Sequence, residues 1–141
     1  MTAKTRFPAE VLTILRGSNG LRVRAGDDSH RFIGIWFVLV KDRLFVRSWS
    51  VKPDGWHNVF RTKPTGTIQL GSHETAVRAA RIRNKTLRDA IDRAYLEKYS
   101  SPGARKYARD LGSAKSRATT LELVPLREPR AAHTRKGRKT R

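Results

Sequence analysis

Histidine is the side chain that most readily moves protons or ligates metals near neutral pH, and this 141-residue chain has four, His30, His57, His73 and His133. None stands in an H-E-x-x-H or similar ligand spacing, so the sequence predicts no metal site. Cysteine is absent, which excludes disulfides, thiolate zinc sites and iron–sulfur clusters and fits a reducing cytoplasm. There is no G-x-S-x-G elbow, no G-x-x-x-x-G-K-[ST] phosphate loop and no G-x-G-x-x-G fingerprint. Asp27 and Asp28 are adjacent, and consecutive strand residues point to opposite faces, so they read as a turn rather than as a catalytic pair.

What remains abundant is positive charge. Lys and Arg number 31 against 12 Asp and Glu, a formal net charge of +19. Residues 127–141 hold seven of the basic residues and one Glu, so most of the surplus belongs to the body. A basic body attracts polyanions: nucleic acid, anionic lipid headgroups or phosphorylated small molecules. In a nucleic-acid reading, the Arg and Lys residues between Arg78 and Arg117 form a cationic face, the tail grips phosphate, and Trp36, Trp49 and Trp56 stack bases. Asp89, Asp92, Glu97 and Asp110 interleave with those cations at helical spacing, which is equally the pattern of a solvated helix surface.

The elements that must position these residues follow from patterning. Pro8 opens a short helix with Val11, Leu12 and Leu15 on one stripe and Gly17 as its end. Leu21–Ala25 alternates apolar with basic and reads as a strand. Phe32–Val40 is an uninterrupted apolar run of nine residues, seven of them aromatic or β-branched, which predicts one strand covered on both faces. One face lines a core; the other meets a helix or a second copy of the chain. The run is far short of the about 20 residues that cross a membrane as a helix, and Met1–Pro8 has no apolar leader, which predicts a chain not secreted by a cleaved signal. Lys41-Asp42-Arg43 turns into a partner strand, Leu44–Trp49. Trp56–Phe60 makes a helical turn, Thr67–Leu70 a strand, Gly71–Glu74 a four-residue hairpin loop, and Thr75–Arg83 a strand. Thr86-Leu87-Arg88-Asp89 resembles a capping box for a helix to about Tyr99. Ser101-Pro102 starts another helix that Gly112 stops, and Ala118–Leu126 is the last strand. The order predicts one mainly β domain, residues 1–126, built as a six-stranded antiparallel barrel with helical insertions, followed by a disordered basic tail, 127–141.

This order resembles the split β-barrel of flavin- and deazaflavin-binding proteins, including pyridoxamine-phosphate-oxidase-like chains. Arg31-Phe-Ile-Gly-Ile-Trp36-Phe-Val-Leu-Val is similar to the family's second strand, a basic residue ahead of an x-P-V-W-F run. Leu44–Trp49 is similar to its third strand. Gly55-Trp56-His57-Asn58-Val59, followed by Lys63-Pro64, resembles the W-Y-x-N-L-x-x-x-P segment of deazaflavin-dependent nitroreductase-like proteins, and Leu121–Leu126 the closing strand. The likeness covers roughly residues 20–126. The chain departs from it at Gly26–Arg31, where the family has S-G-x-x-R, and at Ser50–Pro53, which lacks glycine.

The resemblance implies a homodimer with FMN or the deazaflavin coenzyme at the subunit interface and an oxidoreductase that moves a hydride to a small molecule. Arg31, Arg47, Ser48, Ser50 and Lys52 would then clamp the cofactor phosphate. Trp49 and Trp56 would wall its ring, Asn58 would donate to it, and His57 would supply a proton. The structural alternatives are wet strand ends for Arg31 and Arg47, core or interface packing for the tryptophans, closure of its own helical turn for Asn58 and plain exposure for His57. A cofactor-free dimer that binds a partner is the third functional class.

Overall fold

A computed structural model describes residues 6–26, 31–49 and 55–126. Its seven antiparallel strands form a single nearly closed sheet. They are β1 (Leu21–Ala25), β2 (Ile33–Ile35), β3 (Phe37–Val40), β4 (Arg43–Val46), β5 (Thr65–Leu70), β6 (His73–Arg81) and β7 (Leu121–Pro125). The spatial order is β2-β1-β5-β6-β7-β4-β3. β2 and β3 lie at opposite ends of that order yet are separated in sequence by Trp36 alone, so the covalent chain itself joins the two edges. The sixfold barrel expected from the sequence is therefore present, with its second strand split in two.

Phe32–Val40 is thus not one continuous strand. Ile33 and Ile35 pair with Val23 and Leu21, whereas Phe37 and Val38 pair with Val46 and Phe45. One strand cannot serve both edges of a sheet without a change of direction, and the bulky Trp36 sits at that corner. Ile35 and Phe37 face the barrel interior with Val23, Leu44, Val46, Ile68, Val77, Leu121 and Leu123. The outward side of β3 is covered within the same chain: Val38 joins Phe45, Ile91, Tyr95 and Leu111 in a second core, with Val40 packed against it.

Five helices complete the described fold. α1 (Ala9–Arg16) buries the expected Val11, Leu12 and Leu15 in the barrel core. α2 (Trp56–Thr62) sends Phe60 into the same core. It does so over Gly66, where an added Cβ would lie 2.4 Å from the Arg24 carbonyl oxygen and 2.9 Å from the Phe60 ring. α3 (Lys85–Lys98) and α4 (Pro102–Asp110) build the second core outside the sheet. α3 is capped by Asn84, whose Oδ1 accepts from the Leu87 N–H at 2.8 Å; the capping box expected at Thr86 stands two residues too late. Ser101 caps α4 as its Ser-Pro start predicts. A single turn, α5 (Ala114–Arg117), follows in sequence for which no element was expected, and the last strand begins at Leu121 rather than Ala118.

Turn chemistry accounts for two further differences. β5 and β6 are joined by Gly71 and Ser72 alone, with Gly71 at φ +61°, instead of a four-residue loop. Lys41 and Asp42 both have positive φ, 54° and 63°, the requirement of a two-residue primed turn. Asp42 is tied to α1 by Arg16 at 2.7 Å, which offsets some of the strain of non-glycine residues there. The tail from residue 127 lies outside the described residues.

Candidate functional site

Where β2 gives way to β3, the corner at Trp36 leaves an open groove of about 810 Å³. Its walls come from four places: the α1–β1 turn (Ser18–Gly20), the β2 end (Gly34, Ile35), the β5–β6 turn (Gln69–Gly71), and the indoles of Trp36 and Trp49. Trp36 is braced from behind by Tyr99, stacked on it at 3.8 Å between ring centroids. Trp49 meets Trp36 edge-on at 5.3 Å and donates from Nε1 to the Tyr107 carbonyl at 3.2 Å. Trp49 is nevertheless 39% exposed and Tyr107 52% exposed. The charged residue on the wall is Arg22, whose outward direction follows from the alternation of β1, and whose Nη1 donates to Gln69 Oε1 at 3.4 Å. The groove thus offers two aromatic faces and one cation. Neither Trp36 nor Arg22 was among the cofactor candidates, and as a site residue Trp36 entered only the nucleic-acid reading. The signals for them were present, a tryptophan inside an otherwise aliphatic run and an arginine on the wet face of a strand.

Of the eight sequence candidates, the six among the described residues do not converge on this groove. Trp49 lines it. Arg31 is exposed. Arg47 is 2% exposed, the reverse of a wet strand end. Its guanidinium pairs with Asp92, donates from Nε to Thr120 Oγ1 at 2.9 Å, and reaches the Leu111 and Arg88 carbonyls at 2.9 and 3.0 Å. That arrangement ties β4 to α3, to the residue after α4 and to β7. Burial lowers the Arg47 pKa, an effect opposed by Asp92. Ser48 is buried beside it, its N–H donating to Thr119 Oγ1 at 2.8 Å. Trp56 packs against the barrel core and edge-on to Phe60 at 6.2 Å. Asn58 accepts from Arg61 at 3.5 Å within α2. Ser50 and Lys52 lie outside the described residues.

His57, expected on the surface, is buried, and its Nδ1 has no hydrogen-bond partner. Burial pushes its pKa down, with help from the charges of Arg61 and Arg81, so the imidazole is neutral at physiological pH. At the other side of the fold the C-terminal turn of α3 completes the strand edge at Phe37. The Tyr99 hydroxyl accepts from the Phe37 N–H at 3.2 Å and lies by the carbonyls of Asn19 and Phe37, while Lys98 Nζ donates to the Phe37 carbonyl at 3.0 Å. Burial raises the Tyr99 pKa to about 12. Among the described residues no cluster of His, Cys, Asp and Glu fits a metal ion, and no helix is long and apolar enough to cross a membrane.

A family described as an uncharacterized protein conserved in bacteria, DUF2255, matches residues 18–123. The fold is similar to that of HutZ, the heme storage protein from Vibrio cholerae, with a TM-score of 0.64 at 12% identity over 88% of this chain and 93% of that one. It is also similar to the conserved hypothetical protein Rv2991 from Mycobacterium tuberculosis, with a TM-score of 0.58 at 11% identity over 92% and 85% of the two chains. No protein of curated function matches the chain.

Proposed function

The chain belongs to the DUF2255 family of proteins conserved in bacteria, and we propose that this member binds FMN or the deazaflavin coenzyme in the Trp36–Trp49 groove and serves as an oxidoreductase. The observation that carries the reading is the pairing of two indole faces with Arg22 in one open groove. Aromatic faces suit a planar ring system, and a guanidinium suits a phosphate. Heme, named for HutZ, fits this groove less well. The described lining holds no His, Cys, Met or Tyr to ligate an iron. A flavin supplies the hydride chemistry when bound. The residues of this chain have other tasks: Trp36, held by Tyr99, gives one wall, Trp49, held by the Tyr107 carbonyl, a second, and Arg22 an anchor for the anionic end.

A second copy of the chain belongs to the same proposal. The outward side of β5 and β6 presents Thr67, Gln69, Glu74, Ala76 and Arg78, next to Arg22 of β1, while α3 lies on β3 and α2 meets β1. A face with both a carboxylate and arginines around the short side chains of Thr67 and Ala76 suits self-complementary approach of another sheet, and a twin placed there would border the groove at Gly34 and Arg22.

The test is the visible spectrum of protein purified without added cofactor, then titration with FMN, the deazaflavin coenzyme and hemin while following tryptophan fluorescence. Micromolar affinity for a flavin-type ring, weakened at least about tenfold by Trp49→Ala, is expected. Binding of hemin alone, or of none of the three at micromolar concentration, overturns the proposal.

A further inference from the structure

A row of residues crosses the outer face of the sheet. Gly34 of β2 stands opposite Arg22 of β1, Arg22 opposite Gln69 of β5, and Gln69 opposite Glu74 of β6. Directly opposed residues of antiparallel strands share a face, so all four point the same way, and Gly34, Arg22 and Gln69 border the groove. Hydrogen bonds run along the row. Gln69 Nε2 donates to Glu74 Oε2 at 3.1 Å, and Arg22 Nη1 donates to Gln69 Oε1 at 3.4 Å.

These bonds have a direction. An ionised carboxylate only accepts, so Glu74 draws the amide NH2 toward itself and leaves Gln69 Oε1 facing Arg22. A guanidinium carries five N–H donors, and the one acceptor of Arg22 among the described residues is that oxygen. No described carboxylate forms an ion pair with it. Glu74 stands two strand spacings away, roughly 10 Å at the backbone. It orients Arg22 through the amide and leaves its charge unneutralised.

On its other side Arg22 faces a gap. No described atom lies within 4 Å of where a Cβ on Gly34 would be. The groove has two other glycines, and each has a reason within the chain. A Cβ on Gly20 would lie 3.0 Å from the Ile35 carbonyl oxygen, and Gly71 takes φ +61°. Gly34 has neither constraint. Glycine weakens a strand interior and marks places where a ligand or another backbone comes close. The free donors of Arg22 beside the gap select an anion rather than a neutral backbone.

We propose that the gap over Gly34 is a subsite for a compact oxyanion, a terminal phosphate or a carboxylate, held by Arg22, with Gln69 and Glu74 as positioning residues. The inference rests on the reading of the groove given above and deepens it. The missing side chain of Gly34 makes the room, and the Glu74–Gln69 pair aims the cation before any ligand arrives.

The first test needs no flavin. Inorganic phosphate, and separately acetate, is titrated into the full chain while the arginine Nε–H signals are followed by NMR. Arg22 is expected to saturate at a concentration at least about tenfold lower than Arg105, which is exposed on α4. Preference for phosphate assigns the subsite to a phosphate ester, and preference for acetate assigns it to a carboxylate. An equal response of the two arginines to both means an adventitious ion only and overturns the proposal. Gly34→Val fills the gap with a residue that strands favour. It is expected to keep the melting temperature and to remove the preferential response of Arg22, and a response that persists overturns the proposal. The comparison of Arg22 with Arg105 is made in the unaltered chain, so it stands whether or not that variant folds.

The second test compares FMN with riboflavin, which lacks the phosphate. FMN is expected to bind at least about tenfold more tightly, and Gln69→Leu and Glu74→Gln are each expected to bring that ratio down toward one. A ratio of one in the unaltered chain overturns this inference and leaves the ring reading in place. Binding of neither flavin, with phosphate still held at Arg22, overturns the ring reading alone.

Discussion

Arg47 shows what a single residue type conceals. On a strand that alternates apolar and polar, an arginine after Leu44-Phe45-Val46 reads as a solvent-facing end. Here its neighbour across the strand pair is a helix, so the same outward direction leads into a second core. Four acceptors make that burial tolerable: Asp92, Thr120 and the carbonyls of Leu111 and Arg88. Removing the guanidinium leaves Asp92 facing Arg117 alone and strands buried carbonyls. Arg47→Ala is expected to cost about 3 kcal/mol in urea unfolding, and Arg47→Met, which refills the volume, measurably less. Equal stability of the two variants would mean that packing, not the polar network, sets the cost. The partner carboxylate was visible in the sequence, but nothing in a one-dimensional pattern matches residue 47 with residue 92. His57 was hidden for the same reason. The loss of solvent around it comes from the docking of its own helix, α2, against β1, and only folding creates that.

At the scale of elements, composition was a good guide and boundaries were not. Apolar–basic alternation placed a strand at Leu21–Ala25, the strands expected at Thr67–Leu70 and Thr75–Arg83 fall within two residues of β5 and β6, and the 3.6-residue stripe of Ile91 and Tyr95 placed α3. The break at Trp36 could not be seen, because an apolar run looks the same whether it pairs once or with two edges. The cap at Asn84 was legible in principle, being a favoured N-cap residue, but Thr86 offered a competing motif. The two-residue turns at Lys41-Asp42 and Gly71-Ser72 differ from longer loops by dihedral angles that sequence signals only weakly. Gly66 carries the element-scale prediction. Since a methyl group there would press on the Arg24 backbone and the Phe60 ring, Gly66→Ala is expected to destabilise by about 2 kcal/mol or more and to loosen α2 from the barrel. Thermal unfolding checks the first part. Faster amide exchange in Trp56–Thr62 than in β6 checks the second.

For the whole molecule, half of the described carboxylates are spent in ion pairs within the chain. Asp42, Asp89, Asp92 and Glu122 all sit in ion pairs with arginine or lysine. Of these, Arg43 and Glu122 form a two-pronged pair at 3.0 and 2.8 Å that raises the Arg43 pKa. Hydrogen bonds from Lys85 and Arg117 lower the Asp89 pKa, so its contribution to stability is present above the ordinary carboxylate range and is lost as pH falls through its depressed value. The exposed cations that remain account for the charge surplus read from the sequence. The proposed twin contact is a question at this scale. Light scattering during size exclusion is expected to give twice the chain mass, and Ala76→Arg, which crowds the uncovered face with charge, is expected to halve it. A monomer before substitution would remove that part of the reading.

The seam at Trp36 has a kinetic side as well. Chain neighbours there end up at the two extremes of the sheet, and β4 finds β7 only after one hairpin and four helices have been laid down between them. Closure must therefore wait for contacts distant along the chain, which places refolding in the slow range of about milliseconds to seconds. Until the last pairing forms, β4 and β7 stand as unpaired neighbours, so crowded refolding mixtures should lose material to aggregation at that stage rather than after it.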